Sequence, residues 1–233
     1  MFKRVVSFGC SFSCWRQDFQ TGFVDEIAKK LNVPFNNYSL PGNSNDAIIF
    51  QFNEKLHTEN LSNSLILFQT TFLTRQSYYE EKLNNVVSFQ LPIISDVLIE
   101  ETSIGRNHSL FSSDKLNPND ELDMFAQKEN AYKNNIKYLY NDAYEYKRLL
   151  NGLYHIKNTI EKINSKVIFI YFDSFETSHP FLSEMNFVRF ENNTLNCSKW
   201  IADNGLNYSE GDLHLSEKGN IVLADYIYEK YLS

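Results

Sequence analysis

Residues Lys3 to Ser13 constrain the fold more than any other stretch: Lys3-Arg4-Val5-Val6-Ser7-Phe8-Gly9-Cys10-Ser11-Phe12-Ser13. Val5, Val6 and Phe8 are the β-branched and aromatic residues that a buried strand prefers. Gly9 has no Cβ and ends that strand with a sharp turn. The small residues Cys10 and Ser11 follow. In an open α/β sheet this place, just past the carboxyl end of the first strand, is where chemistry is carried. The same three residues would also serve as an ordinary strand-to-loop turn, so the rest of the chain has to decide.

The far end supplies what a serine nucleophile needs. Asp212 and His214 stand two apart, just before a final helix that begins near Ser216. A hydroxyl requires a base to take its proton, and the base requires an orienting group. Histidine suits proton transfer near neutrality. His57 and His155 fall within helical patterns. His179 is the rival to His214, in an irregular stretch that opens with Ser178-His179-Pro180.

These blocks resemble the SGNH (GDSL-type) hydrolase family. Gly9-Cys10-Ser11 matches its Gly-Asp-Ser block with Cys in place of Asp. Pro41-Gly42-Asn43-Ser44-Asn45 resembles its second block, with Gly42 as the glycine. Asp212-Leu213-His214 resembles its C-terminal Asp-x-x-His block, one residue shorter. The third block, Gly-x-Asn-Asp after strand three, is absent, and Leu65-Ile66-Leu67-Phe68 leads instead into Gln69-Thr70-Thr71. The resemblance implies a three-layer α/β sandwich with a central parallel sheet, of flavodoxin-like SGNH architecture. It implies Ser11 as nucleophile, His214 as base and Asp212 as orienter. The backbone amides of Ser11 and Gly42 would form an oxyanion hole, and no cofactor is called for. With the family's Asn missing, Gln69, Thr70 or Thr71 is expected to supply the side-chain donor, since each carries one. Arg75 and Asn45 are candidates for substrate contacts, Arg75 for an anionic group.

Alternation along the chain points independently to the same fold class. Helical periodicity covers Phe19 to Leu31, then the segment holding Ile48, Ile49, Phe52 and Leu56, and a long run from about Glu129 to Ile163. Gly152 is expected to kink or break that run. Strands are read at Phe35–Leu40, Leu65–Phe68 and Lys166–Phe172. Strand alternating with helix implies a parallel sheet covered on both faces. A chain of 233 residues fits one domain, 1–233, and no linker interrupts it. Thr71 to about Asn130 is weakly patterned, with short strands possible at Val86–Leu91 and Val97–Ile99 and a turn at Asn117-Pro118-Asn119-Asp120. Segments of that kind are usually functional, and this one (about 71–130) is read as an insertion roofing the Ser11 pocket.

Composition excludes some functions. The net charge is −7, with no basic stripe, which argues against a nucleic-acid partner. No run reaches the roughly 18 apolar residues of a membrane span. Three cysteines, Cys10, Cys14 and Cys197, make no even disulfide framework, and a cytoplasmic location is expected. No Cys/His spacing indicates a metal, and no Gly-rich loop indicates a phosphate cradle. The aromatic content of 15% fits a sugar-binding surface as well as an Asn-, Lys-, Ile- and Tyr-rich background. The expected activity is hydrolysis or transfer of an ester acyl group, with an O-acylated carbohydrate as substrate. The alternative is a catalytically degenerate fold of the same kind that binds a glycan or protein partner.

Overall fold

The computed structural model describes residues 2–13, 22–73, 75–80, 85–90, 142–172, 184–209, 212 and 214–233. Its centre is a four-stranded parallel sheet. The strands are β1 (Arg4–Phe8), β2 (Phe35–Asn37), β3 (Ser64–Gln69) and β6 (Lys166–Ile170), in the order β2-β1-β3-β6. A hairpin of β4 (Arg75–Glu80) and β5 (Asn85–Gln90) forms a separate antiparallel pair. The helices are α1 (Phe23–Leu31), α2 (Asn45–Thr58), α3 (Asp142–Lys162), α4 (Cys197–Asp203) and α5 (Glu217–Tyr231).

Both faces of the sheet are covered. Val5, Leu65, Leu67, Ile168 and Ile170 pack on one side with Phe23 and Ile27 of α1 and Leu223 and Ile227 of α5. Their strand neighbours Val6, Phe8, Ile66, Phe68, Val167 and Phe169 face the other way. There they meet Ile48 and Phe52 of α2 and Leu149, Leu153 and Ile156 of α3. This explains the unbroken apolar runs of β3 and β6, which are buried on both sides. Each fully buried Phe, Ile or Leu contributes about 1.5–3 kcal/mol of transfer free energy. The α/β class expected from the alternation is therefore the class observed.

Element bounds differ from expectation in ways that have physical causes. β2 stops at Asn37, because the Asn37 side chain turns back to accept from the Ser39 N–H (3.0 Å). The helix expected over Phe19–Leu31 starts at Phe23, with residues 14–21 outside those described. Gly152 does not break α3, which runs through it. A Cβ on Gly152 would stand 2.5 Å from Ile49 Cδ1, so the glycine lets α2 and α3 approach closely. The short strand expected near Val86–Leu91 is β5. Its partner β4 was not legible, since Arg75-Gln76-Ser77 carries no apolar alternation. The possible strand at 97–99, the turn at 117–120 and the helical run before Asp142 lie outside the described residues. So does most of the expected insertion. Among the described residues Cys10 and Cys197 are free and buried, and no helix is long and apolar enough to cross a membrane.

The topology fixes where a site can be. Chain order reverses between β1 and β3, because β2 lies on one side of β1 and β3 on the other. A crevice outside the carboxyl ends of the strands opens at such a switch point. The residues that follow β1 and β3 are Gly9 to Ser13 and Thr70 to Leu73.

Candidate active site

The turn after β1 is held from beneath by Gln69, the last residue of β3. Gln69 is fully buried. Its Oε1 accepts from the Cys10 N–H (3.1 Å) and from the Ser13 hydroxyl (3.0 Å). Its Nε2 donates to the Thr70 carbonyl and faces Cys10 Sγ (3.2 Å). Ser13 N–H closes the turn onto the Cys10 carbonyl (3.1 Å), and Asn37 Nδ2 donates to the Ser13 carbonyl (2.6 Å). A Cβ on Gly9 would lie 2.7 Å from Gln69 Oε1. Gly9 is thus required by the close approach of that carboxamide, and its φ is not positive. Cys10 points into the core and is fully buried. Ser11, next in line, is half-exposed.

The histidine arrives from the other end of the chain. Asn207 and Leu215 form an antiparallel bridge, Tyr208 N–H donates to the His214 carbonyl (2.8 Å), and Asn207 Nδ2 donates to the Asp212 carbonyl (2.9 Å). Ser216 anchors the base of this loop, its N–H and its hydroxyl both donating to the Leu206 carbonyl (2.8 and 2.9 Å). Ser216 also caps α5 by accepting from the Gly219 N–H. At the loop's tip Asp212 Oδ1 accepts from the His214 N–H (2.8 Å) and lies 2.6 Å from His214 Nδ1. His214 Nε2 lies 2.8 Å from Ser11 Oγ, across 203 positions of sequence. A proton on Nδ1, facing the carboxylate, leaves Nε2 to accept from the Ser11 hydroxyl. Phe12 stacks on the imidazole, with centroids 4.7 Å apart, and on Phe172 at 4.2 Å.

The second expected block forms the neighbouring wall. Leu40 N–H donates to the Gly9 carbonyl (3.2 Å), and Asn43 N–H closes back onto the Leu40 carbonyl (3.3 Å). Pro41 and Gly42 are the central residues of that turn, and Gly42 has φ +78°. Pro followed by a residue of positive φ is the type II pattern, which favours glycine at this position. Ser44 caps α2 by accepting from the Ala47 N–H (3.2 Å). The Ser44 hydroxyl also meets Ser77 of β4, and its N–H donates to Ser88 of β5 (3.0 Å). The hairpin is thereby tied to the amino end of α2, beside Gly42.

Three side chains considered for the site are occupied elsewhere. The Gln69 amide nitrogen is spent on Thr70 and Cys10, so it is no donor above Ser11. Thr70 turns to β6, where its hydroxyl donates to the Ile170 carbonyl (3.4 Å) and accepts from the Phe172 N–H (3.4 Å). Asn45 is buried and clamps the Thr71 backbone, accepting from its N–H (2.8 Å) and donating to its carbonyl (3.0 Å). It is a brace for the end of β3 and not a substrate contact. Thr71 differs. Its hydroxyl oxygen accepts from Arg75 Nη1 (3.0 Å). His179, the rival histidine, lies outside the described residues.

An ion-pair group that the sequence did not reveal lies beside this brace. Arg148 of α3 holds Asp46 of α2 and Glu145, each at 2.6 Å. Burial pushes both carboxyls above their ordinary range, while the Arg148 charge opposes the rise. Glu145 and Arg148 stand one helical turn apart, but Asp46 lies 102 positions from Arg148, so local spacing could not have found the group of three. Among the described residues no group of three or more His, Cys, Asp or Glu could hold a metal ion.

No protein-family model matches the chain, and no curated protein matches it. Among solved structures the chain is similar to a protein from Desulfitobacterium hafniense DCB-2 that is attributed to the G-D-S-L family of lipolytic proteins. The two are 8% identical, with a TM-score of 0.48 over 97% of this chain and 98% of that one.

Proposed function

We propose that the protein is a serine ester hydrolase. One observation carries this reading: the hydroxyl of Ser11, the imidazole of His214 and the carboxylate of Asp212 lie in one hydrogen-bonded line, although the serine and histidine come from opposite ends of the chain. A surface serine and a surface histidine have no structural need of each other at 2.8 Å. A nucleophile and its base do.

In this reading Ser11 Oγ attacks the ester carbonyl while His214 Nε2 takes its proton. Asp212 holds the ring by Nδ1 and stabilises the imidazolium that forms. The carbonyl oxygen becomes negatively charged and is received by the backbone N–H groups of Ser11 and Gly42, with the Thr71 hydroxyl as third donor. His214 returns the proton to the leaving alcohol, and an acyl-Ser11 ester remains. Water, deprotonated by the same imidazole, releases the acid and restores the serine. An alcohol of a sugar in place of water would give acyl transfer by the same steps.

The test is covalent. A fluorophosphonate probe should label the purified protein at Ser11, located by peptide mapping, and the label should be lost in H214A. A folded wild-type protein that takes no label at Ser11 would instead be a binding module built on the same scaffold.

A further inference from the structure

Arg75 opens β4, two residues beyond Leu73, and its guanidinium is half-buried. Two contacts fix its position. Nη1 donates to Thr71 Oγ1 (3.0 Å), and Cζ lies 5.3 Å from the centre of the Phe72 ring. Phe72 meets Phe12 edge-on at 6.2 Å, and Phe12 stacks on His214. The guanidinium and the His214–Ser11 pair therefore rest on one continuous aromatic floor.

Among the described residues Arg75 meets no counter-charge. Arg4 and Arg148 each pair with a carboxylate. Arg75 forms no ion pair among the described residues, in a chain with 29 acidic residues against 22 basic ones. A guanidinium stiffened by one hydrogen bond and one ring face loses little further freedom on binding, and its planar N–H fork matches the oxygens of a carboxylate or phosphate. Solvation alone would not need Thr71 and Phe72 to hold the group against the pocket floor.

We infer that Arg75 is the anion-recognising group of the substrate site, and that the ester taken there carries a carboxylate or phosphate beside the bond that is cut. This rests on the hydrolase reading, and the experiment separates the two. Matched esters place the charge on either side of the ester bond. Mono-4-nitrophenyl succinate against 4-nitrophenyl butyrate puts it on the acyl side. 4-Acetoxybenzoate and 4-acetoxyphenyl phosphate, against methyl 4-acetoxybenzoate, put it on the alcohol side and separate carboxylate from phosphate. The wild type should favour one anionic member in kcat/KM, and R75M should lower that anionic-to-neutral ratio by about tenfold or more. R75K, which keeps the charge but not the planar fork, should retain part of the preference. Binding of the same compounds to S11A and to S11A/R75M reads recognition without any chemistry. Tighter binding of an anionic compound that depends on Arg75 supports the inference even if the probe fails to label Ser11. A wild type with no preference for any anionic member, or a ratio unchanged by R75M, overturns it.

Discussion

Asp212 Oδ1 accepts two hydrogen bonds from a single residue, His214: one from its backbone N–H at 2.8 Å and one at its ring Nδ1 at 2.6 Å. The backbone bond, from an Asx oxygen to the N–H two residues on, folds the carboxylate over the turn. The same oxygen then meets the ring. A separation of two residues between acid and histidine is thus sufficient, where the family resembled uses three. D212N should keep the turn, because its side-chain oxygen can still accept from the backbone. It removes the charge that fixes the tautomer, and kcat toward an activated aryl ester should fall by roughly four orders of magnitude. D212A should lose the turn as well and add a drop in thermal midpoint. Equal activity of D212N and wild type would remove Asp212 from the mechanism.

Gln69 was legible as a residue at the right end of the right strand, but its role was not. It looked like a donor for the pocket, because a sequence does not say which way a buried amide points. The structure turns it beneath the turn that follows β1. Q69A should leave the Cys10 N–H and the Ser13 hydroxyl buried without an acceptor. Each such loss costs about 1–3 kcal/mol. Chemical denaturation should show a fall of a few kcal/mol, and activity should drop with it, because Ser11 is the next residue after Cys10. Q69E restores the acceptor but sets an oxygen against the Thr70 carbonyl, so it should not recover the wild-type stability.

The fold was readable wherever one rule dominated. β3 and β6 are apolar without interruption, since both faces are buried, and α5 begins where Ser216 offers a cap. The hairpin β4–β5 was half hidden. It is anchored by Ser44, Ser77 and Ser88, which pair through hydroxyls and leave no hydrophobic period to detect. Gly152 misled because a glycine inside a helix reads as a break, whereas here the cause is the Ile49 side chain on another helix. Ser11, His214 and Asp212, which the structure brings within hydrogen-bonding reach of one another, were singled out by residue type and place in the chain. The Phe12 ring under the imidazole and the Arg148 cluster were not, since both depend on contacts between distant segments.

The Arg148 cluster makes stability depend on pH in a stated direction. Asp46 and Glu145 are both held above their ordinary values by burial, and the Arg148 charge limits the rise. The native state therefore binds these two protons more tightly than the unfolded chain. That contribution to stability is fully present below the unfolded-state values, and it is lost as pH rises through the folded-state ones. R148M removes the opposing charge and raises both carboxyls further. Its destabilisation should be largest near neutral pH, on the order of 1 kcal/mol because Arg148 and Asp46 are partly exposed, and should shrink as pH falls below about 5. Urea melts at both pH values would check this. A destabilisation that stays constant with pH would mean that Arg148 acts through packing of its stem and not through its charge.

Thr71 is the residue on which the proposed oxyanion site can be tested. The chain ends β3 with three polar side chains. Gln69 is committed to the turn after β1 and Thr70 to β6. Thr71 is held in place by Asn45 at its backbone and by Arg75 at its hydroxyl oxygen. An oxygen that accepts from a guanidinium has its own O–H polarised, which makes it a stronger donor to a developing oxyanion. T71V replaces the hydroxyl by a methyl group of nearly the same volume, and the two Asn45 bonds to the backbone do not involve the side chain. The fold should therefore persist, with circular dichroism and thermal midpoint close to wild type. With an uncharged ester, so that Arg75 does not enter the comparison, kcat should fall by about a hundredfold or more while KM changes little. T71S, which keeps the hydroxyl, should recover most of that rate. If T71V turns over the uncharged ester as fast as wild type, the amides of Ser11 and Gly42 carry the oxyanion alone, and Thr71 serves only to hold Arg75.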